Sequence, residues 1–352
     1  MKTYRIALLP GDGIGREVVP AAVSVLERAG AKFGFRWEWR EYSWSCEEYA
    51  RTGAMMPEDG IEQLRSFDAL FLGAVGFPGV PDHVSLWGML IPIRRAFRQY
   101  VNLRPLRLLA GVKSPLADRG PGDIDFCIVR ENNEGEYSES GGRLYAGTDD
   151  EIALQESIFT RRGVDRVLRY AFELARRRER KRVASATKSN GIIHTMPFWD
   201  ERFSAIAADY ADVDTSEFHI DILCAHFVQH PDWFDVVVAS NLFGDILSDL
   251  GAAVVGGMGL APAGNINPER EFPSMFEPVH GSAPDIAGQG IANPVAQIWT
   301  GAMMLEHLGE QRAADTVLAA IQSVLGEARV RTVDLGGRNS TEELAAAIEE
   351  RL

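Results

Sequence analysis

The sequence has few cysteines and no long apolar run. Three cysteines, Cys46, Cys127 and Cys224, occur among 352 residues, far apart in the chain. They lack the even number of a disulfide framework and the spacing of a metal site, which favours a reducing cytoplasm. No stretch of about 18 apolar residues is present to span a membrane, and residues 1–10 lack the apolar core and cleavage site of a signal peptide. We therefore expect a soluble cytoplasmic protein with no membrane partner.

Basic residues are also outnumbered. The chain has 36 Lys and Arg against 50 Asp and Glu, a net charge of −14. This balance argues against a nucleic-acid partner, since phosphate binding needs a basic surface. An enzyme for anionic substrates would have to concentrate its arginines locally. The hydrophobic fraction of 46% is ordinary for a globular protein, and the length suggests about two domains.

Predicted strands and helices alternate through most of the chain, which predicts an α/β fold with parallel strand pairing. The predicted strands cover residues 4–9, 68–73, 123–130, 152–157, 181–187 and 235–239. The predicted helices cover residues 17–28, 85–98, 163–178, 242–250, 295–308, 313–328 and 341–352. Residues 261–273 are predicted to form a loop. The turn at residues 10–15 (PGDGIG) does not complete a Gly-x-Gly-x-x-Gly motif, because Arg16 takes the place of the last glycine, so we reject a Rossmann fold.

Asp245 and Asp249 lie four residues apart on the helix predicted after strand 235–239. This spacing places both carboxylates on one helix face, where like charges repel unless a cation lies between them. A ligand set of carboxylate oxygens suits Mg²⁺ or Mn²⁺. The alternative is a solvated acidic face near a helix N-terminus, where the helix dipole favours aspartate.

Several other charged residues occupy unusual positions. Arg104 lies within an apolar extended stretch before Pro105, and Arg130 ends a predicted strand. Lys188 follows another strand, and Asp221 has apolar neighbours on both sides. Isolated charges are rare in such surroundings, so these residues are candidates for a functional site. A solvated basic or acidic surface remains the alternative for each of them.

Four motifs occur in a fixed order. They are residues 102–105 (NLRP), 129–132 (VREN), 240–245 (SNLFGD) and 277–285 (EPVHGSAPD). Together they resemble the β-decarboxylating dehydrogenase family, which includes isocitrate, 3-isopropylmalate and tartrate/D-malate dehydrogenases. The resemblance extends from residue 8 to the last helices. Residues 81–88 (PDHVSLWG) are most similar to the tartrate and decarboxylating D-malate dehydrogenases.

The resemblance implies a bilobed isocitrate/isopropylmalate dehydrogenase-like fold. Residues 1–100 and 254–352 would form a large, cofactor-binding domain. Residues 101–253 would form a small domain for dimerisation and metal binding, with an intersubunit arm near 137–157. The cleft between the domains would hold the ligands. The implied assembly is a homodimer in which Lys188 and Asp221 complete the active site of the other chain.

The resemblance also assigns individual roles. The catalytic residues would be Tyr137, Lys188 and Asp221, and the metal ligands Asp221, Asp245 and Asp249. The substrate would contact Arg94, Arg104, Arg130, Trp87 and Leu90. The cofactor would contact Asn190, Glu277, His280, Gly281, Ser282, Ala283, Asp285, Ile286 and Asn293.

The implied activity is NAD- and Mn²⁺- or Mg²⁺-dependent oxidation of tartrate or D-malate, with β-decarboxylation for D-malate; a K⁺ requirement stays open. Asp285 favours NAD over NADP, because its carboxylate can accept hydrogen bonds from ribose hydroxyls but repels a 2′-phosphate; capping a short helix is its alternative role. A 3-isopropylmalate dehydrogenase, with Leu90 and Ile91 in an apolar pocket, is the competing enzyme. A non-catalytic nucleotide-sensing subunit is the alternative outside enzymes.

Overall fold

The computed structural model describes all residues from Met1 to Leu352. Twelve strands form one ten-stranded sheet and a separate hairpin. The strands are β1 (Lys2–Gly11), β2 (Phe35–Glu41), β3 (Ala69–Ala74), β4 (Val101–Arg107), β5 (Asp125–Glu131), β6 (Gly141–Leu144), β7 (Ile152–Gln155), β8 (Arg182–Thr187), β9 (Asp214–His219), β10 (Val236–Ala239), β11 (Pro262–Ile266) and β12 (Ser274–Pro278).

The helices cover the faces of the large sheet. They are α1 (Gly15–Phe33), α2 (Cys46–Thr52), α3 (Gly60–Leu64), α4 (Asp82–Ser85), α5 (Ile91–Ala96), α6 (Arg161–Arg177), α7 (Thr195–Ala207), α8 (Ile220–Gln229), α9 (Asn241–Val254), α10 (Val295–His307), α11 (Gln311–Glu327) and α12 (Thr341–Glu349). None of them combines the length and apolarity that crossing a lipid bilayer requires.

The large sheet has the order β2-β1-β3-β12-β11-β4-β5-β10-β8-β9. Its outer pairings are parallel, as expected from the strand–helix alternation. The three pairings at its centre, β12-β11, β11-β4 and β4-β5, are antiparallel. The α/β prediction with parallel pairing is therefore confirmed for six of the nine strand pairings, and the three central pairings differ. The physical reason is that β4 to β5 and β11 to β12 are joined without a helix, and strands joined in this way return antiparallel.

The sheet is built from two parts of the sequence. Strands on one side of the β11-β4 pairing come from residues 2–74 and 262–278, and strands on the other side come from residues 101–239. The largest hydrophobic cluster contains residues of both parts, such as Ile6, Val129 and Val183. A continuous core thus joins them. The domain boundaries given above stay a prediction.

One local prediction is wrong, and another lacks a detail that the structure adds. Residues 261–273 are not only a loop, because they begin with β11. The strand has no apolar alternation (PAGNI) and forms because it pairs on both edges. The helix predicted at 85–98 is confirmed as far as Ala96, but it contains a π-helical turn, Leu86–Leu90, between α4 and α5. Pro92 lies at the junction of the π-helical turn and α5.

Helix α10 lies in the middle of one layer. Every residue from Val295 to Leu305 is buried, including Gln297 and Thr300. A helix that is buried on all sides must be surrounded by other elements. Helices α1 and α11 pack beside it, and β11 and β12 lie beneath it. This packing fixes the position of the segment between β12 and α10, which carries the predicted cofactor loop.

Candidate active site

Helix α9 places Asp245 close to Arg130 because Gly244 lets the helix approach β5. A Cβ atom at Gly244 would lie 2.6 Å from both Cβ and Cγ of Arg130, which is too close for real atoms. Glycine is therefore required at this contact. Asn241, in the first turn of α9, accepts hydrogen bonds from Nε and Nη2 of Arg130 at 3.1 and 2.8 Å. The helix and the strand thus hold the guanidinium between them.

Asp245 is the centre of a compact charged cluster. Its Oδ1 lies 2.5 Å from Nη1 of Arg130 and 3.5 Å from Nη1 of Arg104. Its Oδ2 accepts a hydrogen bond from the Tyr137 hydroxyl at 2.8 Å. Burial alone would raise the pKa of Asp245, but Arg130 and Arg104 outweigh it and hold the pKa below its usual value. The carboxylate is therefore ionised over the physiological pH range.

The phenol of Tyr137 is held in its protonated form. Burial, together with the charge and hydrogen bond of Asp245, raises the pKa of Tyr137 to about 12, although Arg130 and Arg104 oppose the shift. A phenol in this state is a proton donor at neutral pH. Its proton is donated to Asp245, and a cation bound by Asp245 would compete with this hydrogen bond.

Asp249 extends the cluster towards solvent. Its side chain is 59% exposed and lies 3.7 Å from Nη1 of Arg104. Burial and the neighbouring charge of Asp245 raise the pKa of Asp249, while Arg104 lowers it. Two carboxylates whose mutual repulsion raises a pKa form a donor set that a hard divalent cation would stabilise. The carboxylate oxygens of Asp245 and Asp249 are thus suitable ligands for such a cation.

Arg94 and Glu277 form an almost buried ion pair beside this cluster. Nη2 of Arg94 lies 2.8 Å from Oε1 of Glu277, and the side chains are 8% and 13% exposed. Arg94 lies in α5 and Glu277 lies in β12, so the pair joins two elements that are distant in sequence. Arg94 also contributes to the lowered pKa values of Arg130 and Asp245. The three predicted substrate arginines therefore lie close together around one space.

Trp87 and Leu90 have different surroundings. Leu90 is buried in a hydrophobic cluster that includes Ile93. Trp87, in the π-helical turn, lies against Arg95, whose Cζ is 5.3 Å from the ring centroid. Nη2 of Arg95 also donates to the Tyr137 carbonyl oxygen at 3.2 Å. Trp87 is thus connected to the Tyr137 segment, and Leu90 belongs to the core.

Lys188 and Asp221 lie apart from this cluster within the chain. Nζ of Lys188 is 2.9 Å from Oδ1 of Asp221, and this hydrogen bond lowers the pKa of Asp221. Neither residue bonds to Asp245 or Asp249, and no group of three His, Cys, Asp or Glu side chains in the chain can hold a metal ion. Asp221 lies in the first turn of α8 and is 68% exposed. The chain alone brings together two of the three predicted metal ligands.

The segment after β12 passes close to the glycine turn after β1. The Ser282 carbonyl accepts a hydrogen bond from the N–H of Ile14 at 2.9 Å, and a Cβ atom at Gly13 would lie 2.0 Å from that oxygen. His280 has its Nδ1 3.0 Å from the Gly281 carbonyl, and its buried Nε2 has no partner. Burial also lowers the pKa of His280. This nitrogen is therefore free to form a hydrogen bond with a bound cofactor.

The remaining cofactor candidates differ in what holds them. Asp285 is exposed and its carboxylate makes no hydrogen bond in the chain, so it caps no helix. Ile286 and Ala283 pack against a small cluster that contains Ile14. Asn293 is buried, donates to Asp334 at 2.9 Å and accepts from the N–H of Val295. Asn190 lies exposed in the turn after β8, two residues after Lys188.

Sequence reasoning missed the polar residues that support the arginines. Arg104 donates from Nε to Asn102 at 2.6 Å and from Nη1 to Ser248 at 2.5 Å. Asn265 donates to Glu277 at 2.7 Å. An asparagine two residues before an arginine on a strand shares its face, and this spacing in residues 102–104 was the one available signal.

The model of the isocitrate/isopropylmalate dehydrogenase family matches residues 5–348. The chain belongs to this family. It is 58% identical to the decarboxylating D-malate dehydrogenase of Escherichia coli K12, over 99% of this chain and 98% of the relative. It is also 58% identical to the tartrate dehydrogenase/decarboxylase of Pseudomonas putida, with the same coverage of both chains. A probable tartrate dehydrogenase/decarboxylase of Bacillus subtilis is 54% identical over 100% of this chain and 99% of the relative.

Solved structures agree with this assignment. The isocitrate dehydrogenase of Methylococcus capsulatus superposes with a TM-score of 0.88 at 36% identity, covering 99% of both chains. The predicted isocitrate/isopropylmalate dehydrogenase-like fold is therefore confirmed, as is its difference from a Rossmann fold. This protein is therefore an oxidoreductase, as the sequence motifs predicted.

Proposed function

We propose that this enzyme oxidises a small 2-hydroxy dicarboxylic acid, D-malate or tartrate, with NAD and Mn²⁺ or Mg²⁺, and decarboxylates the product of D-malate. The observation that carries the proposal is the convergence of Arg94, Arg104 and Arg130 on Tyr137 and Asp245. The names of relatives that are 58% identical over nearly the whole chain support it.

The arginines supply the binding site for the acid. A guanidinium binds a carboxylate through two parallel hydrogen bonds, which fixes its orientation as well as its charge. Arg104 and Arg130 are buried, and burial lowers the pKa of Arg104 to about 10, with Arg130 adding to the shift. Both remain charged at neutral pH. In the free chain Asp245 pairs with Arg130 and Glu277 pairs with Arg94, and we propose that substrate carboxylates take over part of this pairing.

Tyr137 acts as the proton donor for the carbon that loses CO₂. Its pKa of about 12 keeps the phenol protonated, and Arg95 holds its backbone carbonyl. Loss of CO₂ from the oxidised acid leaves an enolate, which needs a proton at carbon. A positioned general acid accelerates such transfers by about 10²- to 10⁴-fold.

Two bound groups complete the chemistry. A divalent cation held by Asp245 and Asp249, with Asp221 of a second copy of the chain, would supply Lewis-acid polarisation of the substrate oxygens. NAD held by the 277–286 segment and Asn293, with Asn190, would accept the hydride. The orphaned Nε2 of His280 and the unpaired carboxylate of Asp285 are the observations on this segment that fit a cofactor.

The separation of the charged groups supports a homodimer with shared active sites. The ion pair of Lys188 and Asp221 lies exposed and away from Asp245. Exposed apolar residues lie near both groups in sequence, with Ile193 and Ile222 near the ion pair and Ile246 next to Asp245. Large exposed apolar side chains in one region indicate a protein interface. We propose that a second copy covers this region and brings its Lys188, as the base for the C2 hydroxyl, to the cluster around Asp245.

A substrate panel tests the activity. We expect the highest kcat/KM with NAD and Mn²⁺ for D-malate or a tartrate isomer, and lower values for isocitrate and 3-isopropylmalate. A preference for 3-isopropylmalate would overturn the substrate assignment.

Mixed dimers test the shared site. Lys188→Met and Asp245→Asn are each expected to be almost inactive, because each dimer then lacks a required group in both sites. Mixed after partial unfolding and refolding, they should regain activity, since one of the two sites in a hybrid dimer keeps both groups. No recovery, with hybrid formation verified by mass spectrometry, would contradict shared sites.

A further inference from the structure

A continuous chain of buried polar side chains crosses the centre of the sheet. It runs from Arg94 through Glu277, Asn265 and Asn102 to Arg104. The links measure 2.8 Å from Arg94 to Glu277, 2.7 Å from Asn265 to Glu277, 2.9 Å from Asn102 to Asn265 and 2.6 Å from Arg104 to Asn102. Asn102 and Asn265 are completely inaccessible to solvent. The chain of hydrogen bonds links two of the substrate arginines.

The strand register explains why these side chains meet. Asn265 of β11 lies opposite Asn102 of β4, and Asn102 lies opposite Arg130 of β5 on its other side. Residues directly opposite each other share one face of a sheet, as do residues two apart on one strand. Arg104 lies on the same face because it is two residues after Asn102 on β4. Glu277 does so because it is two residues after Met275, which lies opposite Asn265.

The amide of Asn265 is fully used. Its Nδ2 donates to Glu277 and, at 3.4 Å, to the Met275 carbonyl. Its Oδ1 accepts from Asn102 at 2.9 Å and from Asn132 at 2.8 Å. These four contacts exhaust the hydrogen-bonding capacity of a primary amide. If the amide were rotated by half a turn, its Nδ2 would face the Nδ2 groups of Asn102 and Asn132, and its Oδ1 would face the Glu277 carboxylate. Only the observed orientation satisfies all four contacts.

The orientation of Asn265 determines that of Asn102. Because Oδ1 of Asn265 accepts from Nδ2 of Asn102, the Oδ1 of Asn102 must face the other way, where it accepts from Nε of Arg104. Arg104 then directs Nη1 towards Ser248 and Asp245. The amides of Asn265 and Asn102 therefore fix each other's orientation, whereas Nε of Arg94 and Oδ1 of Asn132, at the edges of the network, have no partner in the chain.

We propose that Asn265 is a positioning residue that sets the guanidinium of Arg104 through Asn102 and that of Arg94 through Glu277. It thereby holds the two arginines at one spacing for the two carboxylates of the acid. The proposal rests on the proposed function for the identity of that acid. Asn265 itself makes no contact with the ligand space in this role, since its four contacts are all to protein groups.

The test compares Asn265→Ser with a matched control, Asn267→Ser. Asn267 has the same residue type and the same complete burial, but it bonds to the Arg98 carbonyl and to the N–H groups of Glu271 and Phe272, not to the site. We expect Asn265→Ser to lower kcat/KM for the accepted acid by about 10-fold or more, since misplacing a binding group by ~1 Å has effects of this order. Asn267→Ser should stay within about twofold of the parent at a similar loss in melting temperature.

A double variant separates the relay from a general loss of packing. Asn102→Ser alone should resemble Asn265→Ser, and the two together should be little worse than either, because residues in one chain of bonds are not additive. Additive losses, or a kcat/KM for Asn265→Ser no lower than that of Asn267→Ser, would overturn the proposal. A crystal structure of Asn265→Ser gives a readout that does not depend on activity. It should show Arg104 in a new side-chain conformation, and an unchanged Arg104 would overturn the proposal.

The same experiment distinguishes the two proposals. If the parent enzyme oxidises neither D-malate nor tartrate, the proposed function fails, and the crystal structure of the variant still decides the role of Asn265. If the parent is active and the variant keeps its activity and its Arg104 conformation, only the positioning role fails.

Discussion

The Tyr137 hydroxyl donates a hydrogen bond to Asp245, with 2.8 Å between Oη and Oδ2. This contact joins the proposed proton donor to a proposed metal ligand. It also explains why the phenol stays protonated, since burial and the carboxylate charge raise the pKa of Tyr137 to about 12. The relationship leads to separate predictions for the two residues.

Tyr137→Phe should reduce D-malate turnover more than reduction of an added 2-keto acid by NADH. The phenol acts after the ketone has formed, so its loss removes a general acid worth about 10²- to 10⁴-fold from one half of the reaction only. Parallel steady-state measurements of both reactions check this. Equal losses in both directions would show that Tyr137 serves hydride transfer or binding instead.

Asp245→Asn should raise the Mn²⁺ concentration needed for half-maximal activity by at least ~10-fold, because the cation loses an anionic ligand. The variant also removes the ion pair with Arg130, so Mn²⁺ binding should be measured directly by titration calorimetry. Asp232→Asn is the control, since Asp232 pairs with Arg119 at 3.3 Å on the surface. Unchanged Mn²⁺ dependence of Asp245→Asn would mean that Asp245 and Asp249 form only a solvated acidic face.

Cofactor choice should depend on Asp285 and Ile286. The parent should favour NAD over NADP by at least ~10-fold in kcat/KM, about 1.4 kcal/mol of discrimination, since the exposed carboxylate of Asp285 repels a 2′-phosphate. Asp285→Lys with Ile286→Tyr should reduce that ratio. Asp285→Ala, which removes the charge without adding one, should give an intermediate ratio. Equal use of both cofactors by the parent would refute the assignment.

Glu131 should make the stability depend on pH. It is 1% exposed, and burial raises its pKa from 4.5 to about 7, against hydrogen bonds from the N–H groups of Glu134 and Asn133 that lower it. Between pH 4.5 and 7 the unfolded chain loses this proton while the folded chain keeps it, so the free energy of unfolding falls as pH rises through this window.

Glu131→Gln removes that titration. The decrease in the free energy of unfolding between these two pH values should shrink by up to roughly 3 kcal/mol. Urea unfolding at several pH values measures the difference, with Glu58→Gln, at an exposed turn, as the control. Parallel pH profiles for parent and Glu131→Gln would show that burial does not shift this carboxyl group.

Regular periodicity made much of the fold predictable. Helix α6 and strand β10 were located to within about two residues by their apolar patterns. Strand β11 was missed, because its residues 262–266 have no strand-like alternation and are held by pairing with β12 on one edge and with the sequence-distant β4 on the other. The π-helical turn at 86–90 has no sequence signal of its own, since its side chains follow an ordinary helical pattern.

The site was predictable as far as charged residues in unusual positions reveal it. Arg104 and Arg130 are buried as their apolar surroundings implied, and both lie near Asp245. The contact of Asn265 with the arginine network was not predictable, because asparagines are common in turns. Only the register of β11 against β4 shows that Asn265 lies opposite Asn102. The grouping of Lys188 with Asp221, away from Asp245, likewise depends on the tertiary fold.

The measurement that tests the central claim most directly is the stoichiometry of NADH and CO₂ formed from D-malate. The enzyme is mixed with D-malate labelled at the C4 carboxyl carbon, NAD and Mn²⁺, and both products are quantified together. The account predicts one labelled CO₂ for each NADH, and neither product after the cation is removed by a chelator. NADH formation without CO₂, or no NADH from D-malate and tartrate while 3-isopropylmalate is oxidised, would contradict it.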